Sequence, residues 1–290
     1  MKGASMSGDA PMGRRWAVQR RTAGLGLLGL MLLFAVLVPG CSSVDPAVQD
    51  LRNSLAAPSW THPLGTDLLG RDVLTRLGHA ARLSLFTGLL ATFTAAVPGA
   101  LLGLLAAWRG GRLDRLLVMA GDATLALPGL LLVLLVAALA PGQLWALYLG
   151  LSVSMWVEYF RVCRATARPV LAGPAVEAAR LLGLPPRSIL RRHLWPAVGP
   201  TLGSLLPLTA AQAVLSLSAL GFIGVGLQPP QAELGLMLTE YLPHYDEAPW
   251  LIASPVGLLM ALVLALLLAT DRRSRGGTGG ASLYCAQETA

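Results

Sequence analysis

The chain has 290 residues, 54% of them apolar and 13% charged, with a formal net charge of +7 and a mean hydropathy of +0.63. That balance is far from an average soluble domain and close to a polytopic membrane protein. Nucleic-acid binding is excluded as a reading of the basic excess, because the arginines are spread over four segments and no groove-reading module accompanies them.

Charged residues are absent from five intervals, 22–44, 83–108, 123–157, 193–232 and 248–270. A helix needs roughly 20 apolar residues to cross a hydrocarbon core of about 30 Å, so each interval can hold a span. The third can hold two, with Pro141-Gly142-Gln143 as the turn between them. The expected fold is all-α, with six transmembrane helices near 22–40, 82–107, 116–140, 144–160, 197–222 and 250–269. Continuous apolar runs, rather than alternating ones, favour helices over a barrel. Helices without polar outer faces disfavour a soluble bundle.

The tail before the first span holds Lys2, Arg14, Arg15, Arg20 and Arg21, and the tail after the last holds Arg272, Arg273 and Arg275. Arg109, Arg112 and Arg115 follow the second span, and Arg161, Arg164, Arg168, Arg180, Arg187, Arg191 and Arg192 follow the fourth. The connection after the fifth span is acidic, with Glu233, Glu240, Asp246 and Glu247. The positive-inside rule then places both termini in the cytoplasm. The run 25–41, with Arg20 and Arg21 ahead and Cys41 behind, also has the outline of a lipoprotein signal, but its length suits an uncleaved span. Cys41, Cys163 and Cys285 are isolated, and the four histidines are scattered, so neither a disulfide framework nor a metal site is expected. There is no G-x-x-x-x-G-K-[ST] phosphate loop, so ATP is not bound by that route.

Between the fourth and fifth spans, residues 176–196 form a polar island, VEAARLLGLPPRSILRRHLWP. Pro174 can open a short helix, where its missing N–H is harmless, and Glu177 sits near the positive end of that helix. Ala175, Ala178, Ala179 and Leu182 fall together at helical spacing as a shallow apolar face. Gly183 allows a turn, Pro185-Pro186 opens a second short helix, and Trp195 marks re-entry at interface depth. On these residues alone the island is a docking surface or a linker that snorkels its arginines.

Two further stretches bear on structure. In Gly65-Thr66-Asp67-Leu68-Leu69-Gly70-Arg71-Asp72, Thr66 or Asp67 can cap the helix toward the second span, and Asp67 with Arg71 can pair at i, i+4. Asp122, inside the third span, is expected either to face a partner in the bundle as a pathway or helix-locking carboxylate, or to stay wet near the headgroups. Glu158 is expected to join an interfacial ion pair near Arg161.

The run Glu177-Ala178-Ala179, Gly183 four residues on, and His193-Leu194-Trp195-Pro196 resembles the EAA loop of binding-protein-dependent ABC transporter permeases. His62-Pro63-Leu64-Gly65-Thr66-Asp67-Leu68-Leu69-Gly70-Arg71-Asp72 resembles the signature of the dipeptide, oligopeptide and nickel subfamily. Ala219-Leu220-Gly221-Phe222-Ile223-Gly224-Val225-Gly226 with Gln228-Pro229-Pro230 is similar to the same subfamily's fifth-helix end, and Gly110-Gly111-Arg112-Leu113-Asp114 and Leu125-Ala126-Leu127-Pro128 extend the likeness over roughly 58–270. The chain departs from the family pattern at Pro174-Ala175, at Glu233-Leu234-Gly235 and at Ala269-Thr270-Asp271-Arg272-Arg273.

The resemblance implies a type I, MetI-like importer permease, multi-pass in a bacterial inner membrane, with no catalytic residues, metal or cofactor of its own. It implies a cytoplasmic tail 1–21, a first span 22–40, an extracytoplasmic segment 41–81, a core 82–269 containing the EAA loop 161–196, and a disordered cytoplasmic tail 270–290. Glu177, Ala178, Ala179, Leu182, Gly183 and Pro186 would contact the ATPase, while Thr66, Asp67, Gly70, Arg71 and Asp72 would be structural. The implied partners are a second, homologous permease, two ATPase subunits, an extracytoplasmic binding protein and the bilayer, with peptides or nickel as solute. A secondary transporter or channel without an ATPase is the alternative, and it would require paired ionisable residues at mid-membrane in several spans.

Overall fold

A computed structural model describes residues 10–41 and 45–270. The expectations for residues 1–9, for Cys285 and for the tail from 271 fall outside the described residues. Among the described residues there are ten α-helices and no named strand, only a bridge between Thr66 and Asp72.

The first helix, α1 (Ala10–Cys41), begins before its apolar portion, Thr22–Gly40. Next come α2 (Val73–Arg109), α3 (Gly111–Leu125), α4 (Gly129–Leu139) and α5 (Leu144–Leu171). Two short helices follow, α6 (Pro174–Leu181) and α7 (Pro186–Ile189), and a π-helical turn at Leu190–Leu194 leads into α8 (Trp195–Ile223). The chain closes with α9 (Leu234–Tyr241) and α10 (Pro249–Ala269).

By length and composition, four helical stretches can cross a membrane: Thr22–Gly40, Val73–Arg109, Pro186–Ile223 and Pro249–Ala269. The pair α3 and α4 makes a fifth if counted as one span, but it bends by 81°. The sequence expects one helix over 116–140; the break falls at Leu127-Pro128, where the proline ring disfavours the helical conformation of the preceding residue. Helix α5 is long enough at 28 residues, but Ser152, Ser154, Glu158 and Arg161 make it more polar than the others. Six spans are consistent with this architecture.

Small residues on α2 set the central packing. A Cβ on Gly99 would lie 2.4 Å from the Trp156 carbonyl oxygen, and one on Gly103 would lie 2.6 Å from that of Phe160. These glycines, four residues apart, let α2 and α5 approach backbone to backbone, which is how helices gain van der Waals contact when lipid removes the hydrophobic drive. Thr94 and Ser152 hydrogen-bond across the same interface at 2.8 Å. Helix α1 lies against α10, and α8 against α2, α5 and α9.

Candidate functional site

Helix α6 is held from one side only. Val176 and Ala179, three residues apart, are buried among Cys163 and Ala167 of α5, Leu194, and Val198 of α8. Glu177, Ala178, Leu181 and Leu182 are exposed, the last two at 85% and 79%. The apolar face expected from the sequence therefore divides: Ala179 turns into its own chain, while Ala175, Ala178 and Leu182 remain outside. Pro174 occupies the first turn, and Glu177 lies in that turn as expected from the dipole.

Gly183 closes the helix. Its φ is +69°, its N–H donates to the Arg180 carbonyl at 3.0 Å, and the Leu184 N–H donates to that of Ala179 at 3.0 Å. This pair of bonds is a Schellman closure, and Leu184 joins the apolar cluster holding Ala179, as such closures favour. A Cβ on Gly183 would meet nothing within 4 Å, so the need for glycine here is one of backbone conformation. Pro186 opens α7 and is exposed, and the Arg180 guanidinium lies 5.6 Å from the centre of the Trp108 ring.

An ion cluster joins α3 to α5. Arg164 donates to Asp114 through Nε at 2.5 Å and Nη2 at 2.9 Å, and Arg168 donates to Asp114 Oδ2. The Asp114 side chain is 9% exposed, and the two-point contact with Arg164 adds fixed geometry to the charge-assisted bonds. The sequence reading treats these arginines as topology signals and assigns Asp114 no role; its place in Gly110-Gly111-Arg112-Leu113-Asp114 is the only local hint.

A second cluster lies at the other end of α2. Asp67 Oδ2 accepts from Arg71 Nε at 2.6 Å and from Arg76 Nη1 at 2.5 Å, and Glu240 Oε2 lies 2.9 Å from Arg71 Nη2 and 2.8 Å from Arg76 Nη2. Two carboxylates and two guanidiniums balance in charge. The expected pair of Asp67 with Arg71 is present, in a turn closed by the Gly70 N–H on the Asp67 carbonyl. The α2 cap is Asp72, whose Oδ2 accepts from the Thr75 N–H at 2.8 Å. Thr66 is buried, accepting from the Ala56 N–H at 2.9 Å and donating to the Asn53 carbonyl, so neither it nor Asp67 caps the helix. The sequence does not single out Arg76, and it offers Glu240 only as one of an acidic group; their separation in the chain leaves no local signal of the pairing.

Asp122 is more than half exposed and pairs with Arg161, also more than half exposed, at 2.6 Å. Arg161 thus reaches across to α3, and Glu158 makes no ion pair among the described residues. Glu233 is fully buried; its Oε2 accepts from the Leu236 N–H at 2.9 Å and caps α9. Burial raises its carboxyl above the ordinary carboxylate range, against the opposing pull of the backbone N–H groups it accepts from.

The family described as binding-protein-dependent transport system inner membrane component matches residues 99–275, which include α3 to α10. The chain belongs to this family. It is an inner-membrane permease of the ABC transporters, of the dipeptide/oligopeptide group. Similar to this permease is the di/tripeptide transport system permease protein DppC of Pseudomonas aeruginosa (strain UCBPP-PA14), 36% identical over 255 residues, covering 86% of this chain and 84% of the relative. The dipeptide transport system permease protein DppC of Haemophilus influenzae is 33% identical over 267 residues, covering 87% and 88%. The oligopeptide transport system permease protein OppC of Bacillus subtilis is 29% identical over 248 residues, covering 86% and 81%. Among solved structures, an inward-facing MetNI methionine ABC transporter aligns with a TM-score of 0.53 at 22% identity, over 66% of this permease and 90% of that chain. At that identity the likeness is one of fold.

Proposed function

We propose that this permease forms half of the solute pathway of a peptide importer and receives the work of ATP hydrolysis through α6. The observation that carries the reading is the one-sided anchoring of α6. Its buried face is fixed to α5 and α8 through Val176 and Ala179, and its outer face presents Glu177, Ala178 and Leu182 to an absent partner. Movement imposed on α6 would pass along α5, and the Asp114 cluster would carry it to α3. The transport cycle is alternating access: a second, homologous permease completes the pathway, two cytoplasmic ATPase subunits drive it, and an extracytoplasmic binding protein delivers the solute. Catalysis resides in the ATPases, and the permease needs no cofactor. Both termini lie in the cytoplasm, with α6 on that side and the Asp67 cluster on the other. Peptides are favoured over nickel because the similar relatives are named for di/tripeptide, dipeptide and oligopeptide transport.

Gly183→Val tests the reading. A β-branched residue at φ +69° is strained by roughly 1–2 kcal/mol, which opens the α6 closure without touching the spans. Peptide uptake by the reconstituted importer is expected to fall at least tenfold, with membrane insertion unchanged. Wild-type uptake would overturn the coupling role of α6.

A further inference from the structure

A cleft of about 560 Å³ opens at the end of α2 remote from α6, between α2 and the loop leading into α9. His79, Arg82, Phe86 and Thr87 line it from α2 at i, i+3, i+7 and i+8, which is one helix face. Gln231 lines it from the loop before α9, and Asp45 lines it from the segment after α1. That loop is firm at Gln231, because Glu233, two residues on, is buried and bonded to α9.

Among the described residues, the polar groups in the cleft have few hydrogen-bond partners. Arg82 makes no hydrogen bond or ion pair with any described residue. The Asp45 carboxylate accepts, among the described residues, only from the Ala47 N–H of its own turn, at 2.9 Å. The Thr87 side chain is 2% exposed, and its hydroxyl has no partner among the described residues. Buried polar groups are almost always partnered, so Thr87 itself points to a missing ligand. Phe86, 63% exposed, adds an aromatic wall.

A cation, an anion, a hydroxyl and an aromatic ring around one cavity are the complement of a short zwitterion with an apolar side chain. The guanidinium fork suits a carboxylate, Asp45 suits an ammonium, and Gln231 can both donate to and accept from a peptide unit. The volume falls in the 300–1,000 Å³ range usual for small-molecule sites. We infer that this cleft is the permease's own recognition site for the free termini of a di- or tripeptide. The inference rests on the peptide-importer reading above. It adds that selection continues in the permease after the binding protein releases its cargo. A phosphatidylethanolamine headgroup carries the same pair of charges, so the test separates the two.

The full importer complex, in lipid nanodiscs without its binding protein, is titrated with radiolabelled alanylphenylalanine, its C-terminal amide and its N-acetyl form. The free dipeptide is expected to bind about tenfold more tightly than either blocked form, the scale of one lost charge-assisted contact. Arg82→Gln should erase the preference over the amide, Arg82→Lys should keep most of it, and Asp45→Asn should erase the preference over the acetylated form. Each preference is a ratio within one variant, so partial loss of folded protein cancels. No binding of the free dipeptide, a ratio unmoved by Arg82→Gln, or equal displacement by glycerophosphoethanolamine would overturn the inference. Uptake by the wild-type complex with its binding protein is measured in parallel. Its failure would overturn the peptide reading itself, whereas uptake with an unmoved ratio would overturn the cleft alone.

Discussion

Arg76 Nη1 lies 2.5 Å from Asp67 Oδ2, with the arginine side chain fully buried and the aspartate side chain 1% exposed. Removing one member of such a pair leaves an uncompensated charge in a medium of low dielectric. Asp67→Ala should therefore destabilise the protein by about 3–5 kcal/mol, because it leaves the two buried guanidiniums of Arg71 and Arg76 with Glu240 as their one carboxylate. Glu240, 21% exposed, is itself partly hydrated, and Glu240→Gln keeps an acceptor oxygen for the arginines, so it should be milder. Thermal unfolding in detergent, with membrane-inserted yield, reads both; an Asp67→Ala protein melting like wild type would refute the assignment.

The Asp114 cluster should matter more for coupling than for folding. Asp114→Ala frees α3 from Arg164 and Arg168, at a stability cost of about 1.5–3 kcal/mol for charged hydrogen bonds. Arg164→Lys keeps the charge but loses the two-point contact. Both variants should lower uptake per assembled complex, with the lysine variant intermediate. Uptake in Asp114→Ala equal to wild type would show that α3 is not driven through this joint.

Close backbone approach is tested at Gly235. A Cβ there would fall 1.9 Å from the Ser218 carbonyl oxygen and 2.8 Å from the Phe222 nitrogen, so α9 would have to lift from α8. Gly235→Ala is expected to destabilise by about 1–3 kcal/mol or more, since both obstacles are backbone. Gly257 of α10 is the control, because a Cβ there meets nothing within 4 Å. Gly257→Ala should be neutral or stabilising by up to about 1 kcal/mol. Melting temperatures of the two variants that moved together would contradict the packing.

Glu233 makes stability depend on pH in a defined direction. Burial raises its carboxyl above the ordinary 4.5, so the folded chain holds this proton more tightly than the unfolded chain does. Its contribution is fully present below 4.5 and is lost as pH rises through the raised value. Glu233→Gln keeps an acceptor for the Leu236 N–H without the charge. The difference in melting temperature, variant minus wild type, should therefore grow as pH rises toward neutrality. A difference that is flat or shrinks would contradict a raised Glu233 carboxyl.

Apolar length, charge-free intervals and helix-end chemistry are properties of short stretches, so the linear chain displays them directly. They suffice for the all-α class, for helices over most of 82–107, 197–222 and 250–269, and for the turn at Gly183. The Asp67 and Arg71 pair is legible in the same way, because both partners lie within one turn. Pro128 shows where a local rule was available but outweighed by hydropathy: the apolar run continues through a proline that bends the helix pair by 81°.

Only the tertiary structure decided which side chains face one another. Glu240 meets Arg71 across 169 residues and Arg164 meets Asp114 across 50, and no periodicity along the chain encodes either meeting. The same holds within α6, where spacing alone groups Ala179 with Leu182. Packing against α5 and α8 turns Ala179 inward and leaves Leu182 exposed. Burial is set by what lies opposite, so the sequence by itself determined the helical class and the closure at Gly183, and the packed structure decided the helix faces and the residue that caps α2.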